Sequence, residues 1–283
     1  MSRTARIWIF VAVVLVLVVL RGVSPSPPAG RNAFGHGPTI VLVHGLGSSA
    51  EDWLPTARML ARDHRVVLVD LPGHGASAMP DPFSLEQVSV ALDAALEDES
   101  RDEPVILVGH SLGGLACAEY ALEHPSRVRG LVLVEAALVP QIDPAERPRL
   151  EQALEHDYES FVRSAYLGFG RDSAQGERLW QEARRQDPAM VKRWIRLAWS
   201  ADLSGRAGGL TMPVLAVLSA NSWPAKEPWT HAKMELGYRK MLAVHPVRFE
   251  DCGHFIMLDR PEDLARAIGR FCADPAGDLI ATR

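Results

Sequence analysis

Residues 107–115 read Leu-Val-Gly-His-Ser-Leu-Gly-Gly-Leu and lie between two apolar segments of different character. The segment before them, 104–108, has the composition of a buried strand, whereas 115–122 is typical of a helix. Glycines stand two residues before and two residues after Ser111, where their small size lets strand and helix approach closely. The stretch therefore predicts a sharp strand-to-helix turn with Ser111 in a strained backbone conformation at its apex.

A serine at such an apex is exposed at the carboxyl edge of a sheet, above the first N–H groups of the following helix. Those N–H groups can hold a negatively charged oxygen. Gly-X-Ser-X-Gly between a strand and a helix is the pattern of a nucleophile elbow. We interpret Ser111 as a nucleophile with an adjacent base, since a hydroxyl is weak at neutral pH. The competing interpretation is a purely structural serine at a helix start.

Composition narrows the class of protein. The chain has 283 residues, of which 47% are hydrophobic, and a formal net charge of -5. This suffices for one large α/β domain, with or without an insertion. We find no basic cluster of the kind that binds nucleic acid, and we expect no nucleic-acid partner. The histidines and cysteines lack the spacing of metal ligands, so we predict neither a metal nor a cofactor.

The amino-terminal segment differs from the rest of the chain. Residues 7–20 form an unbroken apolar run with arginines on both sides. The run is short for a spanning helix and fits the apolar region of a signal peptide, although no clear cleavage site follows. We predict that 1–23 is a membrane anchor or a signal peptide, and that 24–36 is a proline-rich tether. The protein would then be membrane-anchored through one segment, or secreted.

Strand and helix patterns alternate through the rest of the chain, except in 139–208. Alternation of this kind predicts a mostly parallel, twisted sheet with helices on both faces. Residues 139–208 are helical, charged and rich in aromatic side chains, some of which we expect to roof a pocket. The predicted organisation is an α/β core formed by 37–138 and 209–273, a helical cap formed by 139–208, and a tail formed by 274–283.

Four segments, in this order and spacing, resemble the α/β-hydrolase family over roughly residues 37–272. The resemblance implies an α/β-hydrolase fold with a serine nucleophile at position 111. It also implies an oxyanion hole formed by the backbone N–H groups of Leu46 and Leu112. One departure is that the first two strands of the family are mostly missing. The segments are His-Gly-Leu-Gly at 44–47, Asp-Leu-Pro-Gly-His-Gly-Ala-Ser at 70–77, Gly-His-Ser-Leu-Gly at 109–113 and Asp-Cys-Gly-His at 251–254.

His254 is the predicted general base. It follows a strand end and a glycine, in a loop that should return over Ser111. A surface loop histidine is the competing interpretation. His44 and His110 each adjoin a motif position, and we expect them to hold loop structure through hydrogen bonds. His74 lies in a turn and is predicted to be structural.

The second departure concerns the catalytic acid, which orients the histidine and stabilises its charged form. Most members of the family carry it after the strand that here ends near 218, but 219–223 read Ser-Ala-Asn-Ser-Trp. One branch of the haloalkane dehalogenases has it at the end of the preceding strand, where this chain has Glu135. We predict Glu135 as the acid, with Asp251 and then Glu227 as alternatives. Asn221 would orient a neutral histidine without offsetting its charge.

These residues predict a serine hydrolase that cleaves carboxylic esters through an acyl-enzyme on Ser111. The substrate is expected to be a small molecule, with a lipophilic acyl or alcohol group favoured by the aromatic cap. Hydrolysis of C–C or amide bonds and acyl transfer use the same nucleophile and base and remain open. A different class, a non-catalytic membrane-anchored binding module, is suggested by the missing acid after 218.

Overall fold

The computed structural model describes residues 33–75, 77–97 and 103–275. Seven strands form one sheet in the order β1-β3-β2-β4-β5-β6-β7. β1 is antiparallel to β3, and every other neighbouring pair is parallel, which confirms the predicted mostly parallel sheet. The strands are β1 (Ala33–Gly35), β2 (Thr39–Val43), β3 (Arg65–Val69), β4 (Val105–His110), β5 (Val128–Val134), β6 (Val214–Ser219) and β7 (Val244–Phe249).

Helices connect the strands and cover both faces of the sheet. The helices are α1 (Leu54–Leu60), α2 (Leu85–Leu96), α3 (Leu112–Glu123), α4 (Arg147–His156), α5 (Tyr158–Phe169), α6 (Ser173–Ala183), α7 (Pro188–Ala198), α8 (Trp229–Glu235), α9 (Ile256–Asp259) and α10 (Pro261–Ala273). Short 3-10 turns lie at Ala50–Trp53, Pro125–Arg127, Pro144–Glu146 and Ala207–Gly209.

The sheet separates two hydrophobic cores, because successive side chains of a strand point to opposite faces. In β2, Val41 and Val43 belong to the core under α2 and α3, whereas Ile40 and Leu42 belong to the core under α1 and α10. Strands β2 to β6 are thus covered on both sides, as their largely apolar sequences require, whereas every residue of the edge strand β7 is half-buried.

Helices α4 to α7 follow β5 and precede β6, within the span predicted as a cap. Three of their aromatic side chains are buried: Tyr166 on α5, Trp180 on α6 and Trp194 on α7 are each at most 4% exposed. Met190 and Trp194 join one core, whereas Tyr166 and Trp180 join the other. The cap helices therefore pack onto both cores at the carboxyl edge of the sheet.

Two local expectations are corrected. A short antiparallel strand, β1, pairs with β3 at the sheet edge, in a segment that we had assigned to the tether. The sequence pattern of residues 229–242 predicts one helix over that whole span, but α8 ends at Glu235. It stops because Gly237 adopts a φ of +79°, after which Tyr238 turns inward and donates a hydrogen bond to the carbonyl oxygen of Ala136.

The predicted localisation, membrane-anchored or secreted, is also corrected. No helix in 33–75, 77–97 or 103–275 combines the length and the apolar character needed to cross a bilayer. The segment 1–23 on which the prediction rested lies outside the described residues.

Candidate active site

The turn between β4 and α3 has the geometry expected of an elbow. Ser111 adopts φ +51° and ψ -120°, a combination that an L-residue holds only at a cost of about 1–3 kcal/mol. A Cβ atom at Gly109 would overlap backbone atoms of the first turn of α3, and one at Gly113 would overlap the carbonyl oxygen of His44. The Ser111 N–H donates to the carbonyl oxygen of Val134, 2.9 Å away. Neighbouring backbone thus holds the serine at the apex.

Glu135 and His254 meet at the same edge of the sheet. Glu135 follows β5 directly, and its Oε2 accepts a hydrogen bond from Nδ1 of His254 at 3.1 Å. The same oxygen accepts from the hydroxyl of Ser222 at 2.7 Å, and Oε1 accepts from the N–H of Ser219 at 2.5 Å. The carboxylate is 2% exposed. Three donors offset the cost of burying it, and Nε2 of His254 takes no part in these hydrogen bonds.

The loop that carries His254 is fixed from the cap and from the elbow. The backbone N–H of His254 donates to the carbonyl oxygen of Phe169 at 2.9 Å, and the Phe169 ring stacks on the His254 imidazole with ring centroids 4.6 Å apart. Its carbonyl oxygen accepts from Nε2 of His110 at 2.9 Å. Nδ1 of His110 has no hydrogen-bond partner among the described residues, and burial places the pKa of His110 well below its usual range. His110 is therefore a neutral donor to His254.

The loop after β2 is held on both sides of one peptide group. The carbonyl oxygen of Leu46 accepts from the Tyr166 hydroxyl at 2.8 Å, and the Gly47 N–H donates to Nε2 of His74 at 3.4 Å. Burial lowers the pKa of His74 to about 4, so its ring is neutral and Nε2 can accept near neutral pH.

The base of this loop depends on His44 and Asp70. Nδ1 of His44 donates to the carbonyl oxygen of Gly45 at 2.7 Å, and its Nε2 accepts from the Leu71 N–H at 3.1 Å. Asp70 Oδ1 accepts from the N–H of Ala50 at 3.0 Å. Both side chains contact loop backbone in the structure, as the sequence analysis expected for His44.

A cavity of about 310 Å³ lies over Ser111. Ser111, His254, Leu46 and Leu112 all line it, so the structure brings the predicted nucleophile, base and oxyanion residues to one space. Leu112 begins α3, where a helix N–H lacks an acceptor within the helix. The cap contributes most of the remaining wall, namely Phe161, Val162, Ala165, Tyr166, Phe169, Ile195, Ala198 and Trp199.

The alternative acids do not contact His254. Asp251 and Asn221 are exposed on the surface. Glu227 pairs with His231 at 3.0 Å, and His231 pairs in turn with Glu235 at 3.2 Å. The ligand atoms of Glu227, His231 and Glu235 lie within 4.8 Å of one another, which is the separation of possible metal ligands. This cluster is a surface ion-pair chain away from the cavity.

The sequence analysis did not predict several contacts of the site. Ser222 donates its hydroxyl to Glu135, and the sequence held a signal for this contact, because a hydroxyl residue near a predicted buried carboxylate is a candidate donor. Ser219 donates its backbone N–H, which no residue type marks in a sequence. Tyr166 is 120 residues from Leu46, and no local pattern pairs these two residues.

The sequence of this chain is similar to those of known proteins. A model of the alpha/beta hydrolase family matches residues 40–267. A pimeloyl-[acyl-carrier protein] methyl ester esterase of Pseudoalteromonas atlantica is 31% identical over 62% of this chain and 67% of its own length. The enzyme of that name from Aeromonas salmonicida is 28% identical over 84% of this chain and 96% of its own length.

Solved structures show the same fold. A thermophilic esterase from Thermogutta terrifontis superposes with a TM-score of 0.72 at 20% identity, over 87% of this chain and 93% of its own. An enol-lactonase from Burkholderia xenovorans has a TM-score of 0.70 at 20% identity, over 86% of this chain and 95% of its own. With the family match over most of its length, the chain is an enzyme of the α/β-hydrolase family.

Proposed function

We propose that this enzyme hydrolyses carboxylic esters through an acyl-enzyme on Ser111, with His254 as base and Glu135 as the acid. The observation that carries the proposal is the buried Glu135 carboxylate bonded to Nδ1 of His254, in a loop that meets Ser111 at one cavity. The esterase names of relatives up to 31% identical over most of their length also support it. The cavity wall supports an apolar acyl group.

In the proposed reaction, Ser111 Oγ attacks the ester carbonyl carbon while its proton passes to Nε2 of His254. The carbonyl oxygen becomes an oxyanion, held by the N–H groups of Leu46 and Leu112. The tetrahedral intermediate collapses, the alcohol leaves with the proton from His254, and the acyl group remains on Ser111. Water then attacks, assisted by His254, and the carboxylic acid is released. Glu135 keeps His254 in the required tautomer throughout.

The size of the cavity sets an expectation for the acyl chain. A cavity of about 310 Å³ with a mainly apolar wall favours an acyl chain of medium length over a very short or a very long one. Turnover of p-nitrophenyl esters should therefore rise from acetate to medium chains and fall for dodecanoate. A flat or polar-favouring profile would count against the lipophilic substrate class.

The test compares wild type with Ser111→Ala on this ester series and labels both with a fluorophosphonate probe. We expect ester turnover and stoichiometric labelling of Ser111 in the wild type, with both lost in the variant. Turnover by pure Ser111→Ala protein would contradict the mechanism. Labelling of Ser111 without turnover of any ester would shift the assignment to amide or C–C bond hydrolysis or to acyl transfer.

A further inference from the structure

We propose that Tyr166 of the cap helix α5 is a positioning residue for the oxyanion hole. Its hydroxyl would fix the orientation of the loop that supplies the Leu46 N–H, so that the cap takes part in catalysis as well as lining the pocket. This inference rests on the proposed function, because it concerns the amide that would hold the oxyanion in that reaction.

The first observation is that the Leu46–Gly47 peptide group is bonded on both edges. Tyr166 donates to its carbonyl oxygen, and His74 accepts from its N–H. A peptide group held from both sides cannot rotate as a unit. The adjoining peptide group, between Gly45 and Leu46, carries the proposed oxyanion donor. The carbonyl oxygen of that group accepts from Nδ1 of His44 at 2.7 Å and from the Ser48 N–H at 3.3 Å, and the Tyr166 and His74 bonds fix the peptide group on its other side.

The second observation is how closely the cap approaches this loop. Gly47 adopts φ +69°, and a Cβ atom there would overlap the Tyr166 hydroxyl and lie 3.1 Å from Cβ of Ala183 on α6. The Tyr166 side chain is buried, and burial raises the pKa of its phenol, so it stays a donor. Leaving that hydroxyl without an acceptor would be costly, which makes the Leu46 carbonyl a required partner.

The third observation is that α5 also contacts the base. Phe169, one turn after Tyr166, accepts from the N–H of His254 and stacks on its ring. One end of a single cap helix thus touches both the loop proposed to hold the oxyanion and the loop that carries the base. Displacing α5 would disturb both at once, whereas a cap that only enclosed substrate would need neither contact.

A packing role is the alternative for Tyr166, because its ring also contacts Phe169, Trp180 and Phe255. The variant Tyr166→Phe separates the two roles, since it keeps the ring and removes only the hydroxyl. Tyr158→Phe is the matched control. Tyr158 begins the same helix, and its hydroxyl makes no hydrogen bond within the described residues.

The experiment measures kcat and KM of the full chain on a p-nitrophenyl ester, per active site titrated with the fluorophosphonate probe. It also measures inhibition by an alkyl trifluoromethyl ketone, whose adduct with the serine carries an oxyanion, and the thermal unfolding midpoint. For Tyr166→Phe we expect kcat to fall about ten- to a hundredfold with KM within about threefold. Affinity for the ketone should fall by a similar factor, because the inhibitor resembles the transition state. Tyr158→Phe should match wild type.

The outcomes separate the two proposals. Wild-type turnover with unchanged kcat and ketone affinity in Tyr166→Phe overturns the positioning role and leaves ester hydrolysis standing. A higher KM or a lower unfolding midpoint, with kcat per titrated site unchanged, assigns Tyr166 to packing and also overturns it. A wild type with neither ester turnover nor probe labelling overturns both proposals.

Discussion

Replacing Glu135 with glutamine tests the acid assignment with almost no change in volume. The carboxylate faces three donors, from His254, Ser219 and Ser222, and no acceptor. An amide has one acceptor end and one donor end, so in either orientation its NH₂ group meets a donor. Facing Ser219 is the worse choice, because a backbone N–H cannot reorient. The NH₂ group should therefore face His254 and Ser222.

In that orientation the Ser222 hydroxyl can rotate to accept, but His254 must present an unprotonated Nδ1. The proton then lies on Nε2, the atom that has to receive the proton of Ser111. Where a triad carboxylate is exchanged for its amide in this way, kcat falls about 10⁴-fold, equal to about 5 kcal/mol. We expect a fall of about 10³- to 10⁴-fold for Glu135→Gln, with a loss of stability of about 1–3 kcal/mol.

The assay is p-nitrophenyl ester hydrolysis, normalised to correctly folded protein by circular dichroism and urea titration. Asp251→Asn is the matched control, because Asp251 is an exposed carboxylate three residues before His254. It should retain wild-type kcat. Ser222→Ala removes one hydrogen-bond donor to Glu135 and leaves its charge in place, and should lower kcat about threefold to tenfold. If Glu135→Gln kept more than a tenth of wild-type kcat, or if Asp251→Asn lost activity instead, the reasoning would be refuted.

His110→Phe keeps an aromatic ring beside His254 but removes the hydrogen-bond donor to the His254 carbonyl oxygen, and kcat should fall about tenfold. An unchanged kcat would mean that the other contacts suffice to hold the loop that carries His254. Gly114→Ala should lower the free energy of unfolding, measured by urea titration, by about 1–3 kcal/mol, because the new Cβ atom would overlap Cβ of Ala136. Gly269→Ala should raise that free energy by about 0.5–1 kcal/mol, because Gly269 lies on α10 with no atom close to its Cβ position. The pKa of His74 is lowered from 6.5 to about 4, so the unfolded state takes up this proton before the folded state does as pH falls. The free energy of unfolding should therefore drop between about pH 6.5 and 4, by up to about 3 kcal/mol. His74→Gln should show a smaller dependence of unfolding free energy on pH than wild type.

Features that depend on a few adjacent residues were predictable. The elbow is one, because the glycines around Ser111 are required by backbone atoms that lie within the turn or beside it. The sheet is another, since the parallel strands β2 to β6 are largely apolar runs between turn residues. The position of Glu135 near His254 was predictable, because parallel strands end at one edge and a carboxylate after β5 and a histidine after β7 must lie on the same side.

Features that depend on distant contacts were not. β1 is three residues long and gains its hydrogen bonds only from β3, so no periodicity marks it. The hydroxyl of Tyr166 could be assigned to the cap from its helical spacing, but not to the carbonyl of Leu46, because that pairing exists only once the cap is folded over the core. The end of α8 is an exception: Gly237 is a recognisable stop signal that outweighs the helical pattern beyond it.

Because α4 to α7 form one insertion between β5 and β6, cap exchange between related hydrolases is an obvious way to engineer a new substrate range. A transplanted cap would replace most of the apolar wall of the pocket. It would also have to deliver a hydroxyl to the Leu46 carbonyl and a carbonyl oxygen to the His254 amide. If Tyr166 has the positioning role proposed above, chimeras selected for pocket shape alone should bind their new ligands but turn them over poorly. For such a design, the positions of Tyr166 and Phe169 along α5 therefore matter more than the points at which the cap is joined to the core.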